Sequence, residues 1–475
     1  MFDAHVRDHA HWSPRAPAVV TPARTVSYAE FDADIDRCGA ALAELGVTPA
    51  SGVVSVLVDD PYLLLLVLAA LARLGVVSSP HNDDAADLRL TDAGGAAPAP
   101  PATFLTREWQ AAMFARAAVP LPAPDPDPDA VGRVMLSSGT TRTPRRVGLT
   151  WRNLEARNAA NLHAYGAGRT GAWLPLVGVD AMMGLSLLMG AWTLGASLTG
   201  GIPARDLPRW LETLPDGGVL ALTPAQLRAL LAGLPEGFQP QPGWRICCGG
   251  SLLPPALARE ARVRITPDLR ILYGATESGF VAHGIAADLD RHPGMVGFTP
   301  AGAVCDVVDD DDAPLPAGES GHVRIRGERV ARGYLGDPAA TAERFRGGWF
   351  RTGDVGRKLA DGRLVLEGRA DDRMNLGGRK VMPAVLEEPA LECPGVLDAA
   401  GFAVPGPEGL DRAWLAVVTV PDFDRDGLLA HLAGYPGLPP PSFAWTEEIP
   451  RNAMGKVDRG KLREAVLGAL AARPG

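Results

Sequence analysis

Four short segments of this chain carry residue types that can bind a nucleotide and stabilise charge on its phosphates. Residues 137–141, Ser-Ser-Gly-Thr-Thr, offer clustered hydroxyls and backbone N–H groups to a polyphosphate. Residues 273–277, Tyr-Gly-Ala-Thr-Glu, combine a ring that can stack on a base with a hydroxyl and a carboxylate that can contact phosphate and Mg²⁺. Asp354 and Arg369 suit the two hydroxyls of a ribose, and Lys456 is a compact charge that can reach an oxyanion.

Lysine is scarce in this chain, which makes Lys456 informative. Of the 46 basic residues only four are lysines, at positions 358, 380, 456 and 461, and the other 42 are arginines. Such a bias exchanges lysine for arginine wherever only a positive charge is needed. A lysine that persists beside a glycine near the C-terminus therefore indicates a geometric requirement that the broad, planar guanidinium does not meet.

The elements predicted around these segments alternate between strands and helices over the first half of the chain. Residues 131–136 predict a strand that enters the first segment, and residues 269–273 predict a strand that enters the second. Strands alternating with helices from about residue 53 to 272 predict βαβ units and mostly parallel sheets. After about residue 297, short strands separated by turns predict an antiparallel β-ribbon.

Length and these patterns predict two domains. A chain of 475 residues is too long for one compact core, because cores stop growing at about 250–300 residues. The predicted fold class is α/β, with a large N-terminal domain of stacked βαβ sheets plus a β-ribbon subdomain over residues 1–370. Residues 371–475 are enough for a small α+β C-terminal domain.

Composition excludes several classes of protein. The net charge of −9 and a pI near 5.6 argue against nucleic acid or a membrane surface as a partner, since both need concentrated positive charge. Residues 62–72 form the most apolar run, which is shorter than the ~20 residues of a membrane span and predicts a buried helix. Five scattered cysteines without a C-x-x-C pair, and an N-terminus without an apolar signal region, favour a reducing, cytoplasmic setting.

Three further patterns are interpreted as structural. Residues 166–171 match a dinucleotide-binding fingerprint, but they follow a predicted helix and precede a predicted strand, the reverse of the required order, so they predict a turn. His5, His9 and His11 are expected on the surface of a frayed terminus. Residues 309–312, four consecutive aspartates, are expected in a solvated turn.

The four nucleotide-binding segments, in this order, resemble the ANL superfamily of adenylate-forming enzymes, which includes acyl- and aryl-CoA synthetases and nonribosomal-peptide adenylation domains. The resemblance runs from about residue 25 to 462. Residues 368–378, Gly-Arg-Ala-Asp-Asp-Arg-Met-Asn-Leu-Gly-Gly, are its most specific part, because they are similar to the interdomain hinge of that superfamily. The resemblance implies an ATP-dependent, AMP-forming acid–thiol ligase that uses Mg²⁺ and passes an activated small-molecule acid to CoA or to a carrier protein.

The resemblance also implies a role for each matching residue. Thr276 would contact the α-phosphate, Glu277 would bind Mg²⁺, and Lys456 would bridge the carboxylate and the α-phosphate during adenylation. Asp371 would be the hinge about which the C-terminal domain moves as a lid. The residues implied to bind the nucleotide are Ser138, Gly139, Thr140, Thr141, Arg145, Gly249, Gly250, Tyr273, Gly274, Asp354 and Arg369.

The phosphate loop and the acid pocket depart from the pattern of the superfamily. Arg142 and Arg146 stand where relatives have glycines, which removes backbone freedom and changes the expected closing motion of the loop. The predicted pocket wall is mostly apolar and favours an aryl or medium-chain acyl acid. Asp180 is either a contact for the substrate or a helix cap. The pocket residues implied are Val177, Asp180, Met183 and Gly184.

Two alternative classes of function stay open from the sequence. One is a stand-alone adenylation enzyme that loads an acid or amino acid onto carrier-protein phosphopantetheine, or that adenylates an unusual acid. The other is a non-catalytic relative that binds nucleotide, which the arginines of the phosphate loop suggest. The retention of Lys456, Glu277 and Asp354 together argues against this second alternative.

We predict that Lys456→Arg impairs adenylate formation nearly as much as Lys456→Ala, by about 10²–10³-fold. The guanidinium cannot enter between the acid and the α-phosphate without displacing a ligand. ATP–pyrophosphate exchange measures this step, and thioester formation from pre-made acyl-AMP, which should survive in both variants, is the control. Near wild-type exchange by Lys456→Arg would show that charge alone suffices.

Overall fold

A computed structural model of the chain describes residues 2–92, 101–122, 127–137, 144–166, 171–214, 217–376, 379–406, 411–435, 437–451 and 457–471. Helices α1–α13 span, in order, Phe2–Trp12, Tyr28–Glu44, Pro61–Arg73, Arg107–Ala115, Trp151–Tyr165, Met182–Leu194, Leu207–Thr213, Pro224–Ala232, Pro255–Arg264, Pro338–Arg344, Ala384–Glu392, Arg425–Ala433 and Arg459–Ala471.

The strands alternate with these helices up to about residue 275 and then follow one another more closely. Strands β1–β25 span, in order, Pro17–Val20, Thr25–Ser27, Val53–Leu57, Val77–Ser79, Leu88–Thr91, Ala102–Phe104, Val131–Leu136, Arg146–Thr150, Ala172–Pro175, Ser197–Thr199, Gly218–Leu222, Trp244–Gly249, Leu269–Ala275, Gly279–Ile285, Met295–Gly297, Ala303–Val308, Gly321–Gly327, Phe345–Arg346, Trp349–Lys358, Leu364–Arg369, Met374–Leu376, Arg379–Val381, Val396–Pro405, Asp411–Thr419 and Ser442–Trp445.

The largest sheet has eight strands and gathers several predicted site segments at one edge. Its order is β14-β13-β12-β11-β9-β10-β1-β2, and the strands from β13 to β1 run parallel while β14 and β2 run antiparallel at the rims. Strands β9, β11, β12 and β13 therefore end at the same edge, which is where open parallel sheets bind ligands. The predicted acid-pocket and adenine segments follow directly after these strand ends.

A second sheet of six strands carries the predicted phosphate loop. Its order is β6-β5-β3-β4-β7-β8, and it is parallel except for the last strand, β8, which pairs antiparallel with β7. Strand β7 ends at Leu136 and β8 begins at Arg146, so this hairpin encloses the predicted loop. The apolar run at residues 62–72 lies in α3, which buries 11 of its 13 residues, as predicted.

Helices α5 and α8, which lie beside the site, begin at side-chain caps that the sequence encodes. The hydroxyl of Thr150 accepts a hydrogen bond from the N–H of Asn153, and the amide oxygen of Asn153 accepts one from the N–H of Thr150. Thr223 and Gln226 form the same reciprocal arrangement at the start of α8. Such capping boxes fix the first turn of a helix and so fix where the chain leaves the preceding strand.

The chain after Met295 forms an antiparallel sheet and then a small α+β unit. The sheet has the order β15-β20-β19-β17-β16, with β18 paired to β19, which confirms the predicted β-ribbon. A two-stranded sheet of β21 and β22 and a three-stranded sheet of β23, β24 and β25 follow, with α11, α12 and α13. This mixed architecture confirms the α/β fold class with a smaller C-terminal unit.

The buried apolar side chains separate into clusters that do not cross residue 370. Two clusters contain only residues up to Leu366, and two others contain only residues from Met374 onward. The domain boundary at residues 370 and 371 stays a prediction. Among the described helices, none combines the length and the apolar character that a bilayer span requires.

The N-terminal segment is ordered, and the expectation of a frayed end was wrong. Residues from Phe2 to Trp12 form α1, in which Val6 is completely buried and Asp3 pairs with Arg73 at 3.4 Å. The ring nitrogen Nε2 of His9 lies 3.2 Å from the carbonyl oxygen of Thr193. Burial of Val6 and pairing of Asp3 outweigh the tendency of a chain end to fray.

The other structural interpretations hold where residues are described. The 166–171 segment lies between α5 and β9, as a turn would, although residues 167–170 lie outside the described ranges. The four aspartates connect β16 to a bridge at Pro314, and Asp309 accepts hydrogen bonds from the N–H groups of Asp311 and Ala313, which closes a turn.

All five cysteines are buried and none forms a disulfide. Burial raises the pKa of Cys247 to about 12 and that of Cys305 to about 11, so that both groups are protonated thiols at neutral pH.

Candidate active site

Three predicted nucleotide-binding residues meet at the edge of the large sheet. Strands β19 and β20 pair with Asp354 directly opposite Arg369, and Nη1 of Arg369 donates to Oδ1 of Asp354 at 3.3 Å. The hydroxyl of Tyr273, 81 residues away in the chain, donates to Oδ2 of the same carboxylate at 2.5 Å. Burial and the neighbouring carboxylate raise the pKa of Tyr273 well above its usual value. The result is a carboxylate held in a fixed orientation, as recognition of a vicinal diol requires.

Thr352, two residues before Asp354 in β19, completes this group. Its hydroxyl accepts a hydrogen bond from the N–H of Asp354 at 3.1 Å, and its carbonyl oxygen accepts one from Nη1 of Arg369 at 3.0 Å. Thr352 therefore contacts both residues of the third predicted group, Asp354 and Arg369. The sequence predicted Asp354 and Arg369 but gave no role to Thr352.

Thr276 and Glu277 lie in the tight connection between the antiparallel strands β13 and β14. Gly279, which follows the connection, has a positive φ of 65°, a conformation that favours glycine. A Cβ atom at Gly274 would overlap the carbonyl oxygen of Gly279, so the two strands approach closely at this point. The carboxylate of Glu277 is 8% exposed, and its Oε1 accepts a hydrogen bond from the hydroxyl of Tyr334 at 2.8 Å.

Tyr334 links Glu277 to the base of the phosphate loop. Burial and the Glu277 carboxylate raise the pKa of Tyr334, which keeps its hydroxyl protonated as a donor. The guanidinium of Arg145 lies 5.2 Å from the centre of the Tyr334 ring, and Nε of Arg145 lies 3.7 Å from a carboxylate oxygen of Asp337. The Tyr334 side chain therefore contacts both Arg145 and Glu277 and connects them. Sequence reasoning missed Tyr334, because no spacing in the chain connects it to Glu277.

Arg157 holds the backbone of the Thr276–Glu277 turn. This side chain on α5 is 1% exposed, and it donates Nη1 to the carbonyl oxygen of Thr276 at 2.9 Å and Nη2 to that of Glu277 at 2.8 Å. Its Nε donates to the carbonyl oxygen of Arg329 at 2.7 Å. Burial lowers the pKa of Arg157 to about 9, which is still above neutral pH. A buried cation thus fixes the turn that presents both predicted catalytic groups, and no local pattern around Arg157 indicated this role.

Gly249 ends β12 and Gly250 follows it, at the position of the predicted adenine wall. A Cβ atom at Gly249 would lie 2.6 Å from the carbonyl oxygen of Leu272 and 3.3 Å from the sulfur of Met183. Gly250 has a φ of 94°, which a side chain would strain. Both glycines are therefore required by the close approach of the neighbouring strand and by the turn.

The predicted acid-pocket residues lie in the connection from β9 to α6 and in the first turn of α6. Gly184 packs so closely against this connection that a Cβ atom would overlap the carbonyl oxygens of Val177 and Gly178. Met183 is 8% exposed and lies beside Gly249, as an apolar wall requires. Asp180 is exposed, and α6 begins without a side-chain cap, so the interpretation of Asp180 as a helix cap was wrong.

Five predicted residues, Ser138, Gly139, Thr140, Thr141 and Lys456, lie outside the described residues. The ends of the phosphate loop are joined, because Ser137 donates its N–H to the carbonyl oxygen of Arg145 at 2.8 Å and its hydroxyl accepts the N–H of Arg145 at 3.2 Å. Arg146, which stands for a glycine of the superfamily, pairs with the buried carboxylate of Asp83 at 3.0 Å. This departure from the pattern therefore anchors the loop.

Asp371 lies in a short 3₁₀ turn, Ala370–Asp372, between β20 and β21. Its side chain is 55% exposed, and its Oδ2 lies 3.9 Å from both Arg344 and Arg369. Such long, exposed pairs contribute little stability. An exposed turn with weak side-chain contacts fits a point of rotation, which stays a prediction.

The described residues could bind Mg²⁺ only together with phosphate oxygens of a bound nucleotide. No group of three or more His, Cys, Asp or Glu side chains within the described ranges could hold a metal ion. Mg²⁺ is commonly bound by one or two carboxylates together with substrate phosphates and water. The Glu277 carboxylate, held in place by Tyr334, is the kind of ligand that such a site would use.

We predict that Arg157→Met lowers the free energy of unfolding by about 3–5 kcal/mol, since three main-chain carbonyl oxygens each lose a hydrogen bond from a charged donor. Arg157→Lys should recover only part of this loss, because one ammonium cannot span the three acceptors. Chemical denaturation measures the effect. Arg152→Met is the matched control, because Arg152 lies on the same helix with 46% of its side chain exposed and pairs at the surface with Asp129. A cost for Arg157→Met no larger than that of the control would contradict this account.

Comparison with known proteins places the chain in a family. The sequence signature described as AMP-binding enzyme matches residues 6–93 and 90–335. A sulfoacetate–CoA ligase of Cupriavidus necator is 33% identical over 348 residues, which cover 69% of this chain and 66% of the relative. An indoleacetate–CoA ligase of Aromatoleum aromaticum is 28% identical over 521 residues, which cover 96% of each chain.

A solved structure shares the fold over nearly the whole chain. ATP-bound MatB from Rhodopseudomonas palustris superposes with a TM-score of 0.86 at 22% identity and covers 98% of each chain. These similarities confirm the resemblance to adenylate-forming enzymes, and the chain belongs to the AMP-binding enzyme family.

Proposed function

We propose that the chain is an ATP-dependent acid–thiol ligase that forms acyl-AMP, releases pyrophosphate and transfers the acyl group to CoA. The observation that carries the proposal is the meeting of Tyr273, Asp354 and Arg369 beside the turn that bears Thr276 and Glu277. This meeting supports the proposal, because a carboxylate that could bind a ribose lies next to a hydroxyl and a second carboxylate that could bind phosphates and Mg²⁺. CoA is proposed as the acceptor because the two relatives described above are named CoA ligases.

The first half-reaction requires positioning and charge stabilisation. Asp354 accepts hydrogen bonds from the ribose hydroxyls, and Arg369 holds its carboxylate from the side. Thr276 donates to an α-phosphate oxygen while an oxygen of the acid attacks the α-phosphorus and pyrophosphate leaves. Lys456 bridges the acid and the α-phosphate. Glu277, together with ATP phosphate oxygens, would hold Mg²⁺, and that ion would supply positive charge to offset the charge of the leaving pyrophosphate.

The second half-reaction uses a movement of the C-terminal unit. Residues 1–370 form the domain that binds ATP and the acid, and residues 371–475 form a lid that rotates about Asp371. The separation of the buried clusters at Leu366 and Met374 supports this division, because no shared core would have to be broken by rotation. After rotation the lid leaves room for the thiol to attack the acyl carbonyl, which forms the thioester, breaks the bond between the acyl carbon and the phosphate oxygen, and releases AMP.

The acid is proposed to be an aryl or medium-chain acyl acid. Val177 and Met183 provide apolar surface where β9 ends, and the close packing of Gly184 against the same connection keeps this wall in place. The indoleacetate relative is named for an aryl acid, which is consistent with an apolar wall. The sulfoacetate relative is named for a small charged acid, so the acid panel in a test has to include both kinds.

We predict that ATP–pyrophosphate exchange requires Mg²⁺ and an added acid. Asp354→Asn should weaken the apparent affinity for ATP about 10–100-fold, since hydrogen bonds to a charged acceptor contribute about 1.5–3 kcal/mol each. Steady-state exchange with a panel of aryl, medium-chain and sulfonate-bearing acids measures both effects. Asp361→Asn is the control, because Asp361 lies in an exposed turn and pairs only with the nearby Arg363 among the described residues.

The same assays separate the alternatives. Exchange without thioester formation on CoA, but with loading of a phosphopantetheinylated carrier, would identify a carrier-charging adenylation enzyme. ATP binding without exchange for any acid would identify a non-catalytic relative and refute the proposed activity.

We predict that Asp371→Pro affects the two half-reactions to very different degrees. Proline fixes its own φ and disfavours helical backbone at Ala370, which restricts the backbone conformations that the 3₁₀ turn can pass through. Exchange and thioester formation from pre-made acyl-AMP should be measured side by side. Asp371→Ala, which removes the same carboxylate without fixing φ, is the control. Equal losses in both half-reactions of Asp371→Pro would show that residue 371 is not a hinge.

A further inference from the structure

The carboxylate of Asp398 joins the C-terminal unit to the N-terminal part of the chain. Asp398 lies on β23, and its Oδ1 lies 3.3 Å from Nη1 of Arg228 on α8. Its other oxygen, Oδ2, accepts a hydrogen bond from Nη2 of Arg451 at 2.7 Å. One carboxylate therefore binds an arginine on each side of the predicted domain boundary.

Arg228 lies on a helix that begins at the predicted adenine wall. Helix α8 starts at Pro224, directly after Thr223, and a Cβ atom at Gly250 would contact Cγ2 of Thr223 at 3.4 Å. The capping box of Thr223 and Gln226 fixes this first turn. A contact at Arg228 is thus rigidly connected to the wall at Gly250.

Arg451 lies at the base of the segment that carries Lys456. An antiparallel bridge joins Arg451 to Val457, and the N–H of Asp458 donates to the carbonyl oxygen of Pro450 at 2.8 Å. The two ends of the segment are therefore held together. Asp398 binds one of these ends through Arg451, so its position determines where the base of the segment lies.

We propose that Asp398 is a positioning residue for adenylation, which sets the base of the Lys456 segment against the adenine wall through Arg228. This rests on the proposed function, in which Lys456 acts in the first half-reaction. Rotation of the lid separates Arg228 from Asp398 and leaves Arg451 bound to Asp398, because only the first pair crosses the boundary.

The strength of the contact suits a pair that breaks in every turnover. The side chains of Arg228 and Asp398 are 32% and 18% exposed, so solvent screens their attraction and the pair contributes little stability. The pair therefore selects an orientation of the lid without locking it.

The test compares the two half-reactions in Arg228→Gln and Asp398→Asn. Arg228→Gln should lower kcat for ATP–pyrophosphate exchange about two- to five-fold, the range expected for a partly exposed ion pair. Asp398→Asn should lower it about ten-fold, because it also loosens Arg451. KM for ATP and for the acid should change less than two-fold, since both bind the N-terminal domain. Thioester formation from pre-made acyl-AMP should be unchanged.

Arg259→Gln is the matched control, because Arg259 forms a similar exposed pair, at 3.5 Å from Asp290, entirely within the N-terminal part. The double variant Arg228→Gln/Asp398→Asn should be no slower than Asp398→Asn alone, since the two residues act through one contact. The effect of Arg228→Gln should also disappear at about 1 M salt, where the pair is screened.

Two results would overturn the proposal. One is that Arg228→Gln and Arg259→Gln have the same rate of exchange at low salt, which would show that the contact between Arg228 and Asp398 has no role. This comparison can be made even if Asp398→Asn does not fold. The other is an equal loss in both half-reactions, which would indicate a structural role only. Lys456→Ala separates a failure of the proposed function from a failure of this inference. If Lys456→Ala leaves exchange intact, the proposed role of Lys456 fails. If Lys456→Ala loses exchange while Arg228→Gln has no effect, only the proposed role of Asp398 fails.

Discussion

A buried guanidinium is the interaction on which the geometry of the candidate site depends. Arg157 has no described carboxylate within hydrogen-bonding distance, and three main-chain carbonyl oxygens, of Thr276, Glu277 and Arg329, take the place of a counter-ion. A buried charge is costly unless its donors are satisfied, so these three carbonyls must remain where they are. The requirement that Arg157 imposes on its partners is also what orients the turn between β13 and β14.

That requirement extends to the chain segment after β17. Arg329, whose carbonyl oxygen binds Arg157, is itself 1% exposed and donates to the carbonyl oxygens of Phe280 and Pro300, each at 3.0 Å. The N–H of Ala331 donates to the carbonyl oxygen of Glu277 at 2.8 Å. This segment leads to Tyr334, which binds the carboxylate of Glu277. Main chain and side chain of Glu277 are thus held from the same segment, and neither can shift without the other.

The sequence was sufficient to predict structural features that depend on residues close together in the chain. Strands at Val131–Leu136 and Leu269–Ala275 were predicted within about two residues, because apolar runs bounded by glycine and hydroxyl residues are local signals. The candidate site was predicted only through motifs that occur as short segments. Arg157 and Thr276 are 119 residues apart and Tyr334 and Glu277 are 57 apart, so no period in the chain relates them.

The errors in prediction have the same origin. Whether α1 frays depends on Arg73, 70 residues beyond its partner Asp3, and whether Asp180 caps α6 depends on where the helix begins. The role of Arg146 was likewise hidden, since the sequence showed a glycine replaced by arginine but not the buried Asp83 that pairs with it 63 residues earlier. Long-range pairing of charges is the part of this structure that local patterns do not contain.

The burial of the cysteines has a consequence for the chemistry proposed here. An acyl-adenylate is an electrophile that thiolates and free amines capture readily, so a protein that makes one risks acylating itself. All five cysteines are buried, and burial holds the pKa of Cys247 at about 12, which leaves almost no thiolate at neutral pH. The cysteines of the chain therefore offer an activated intermediate of this kind almost no thiolate, and a thiol acceptor would meet little competition from them.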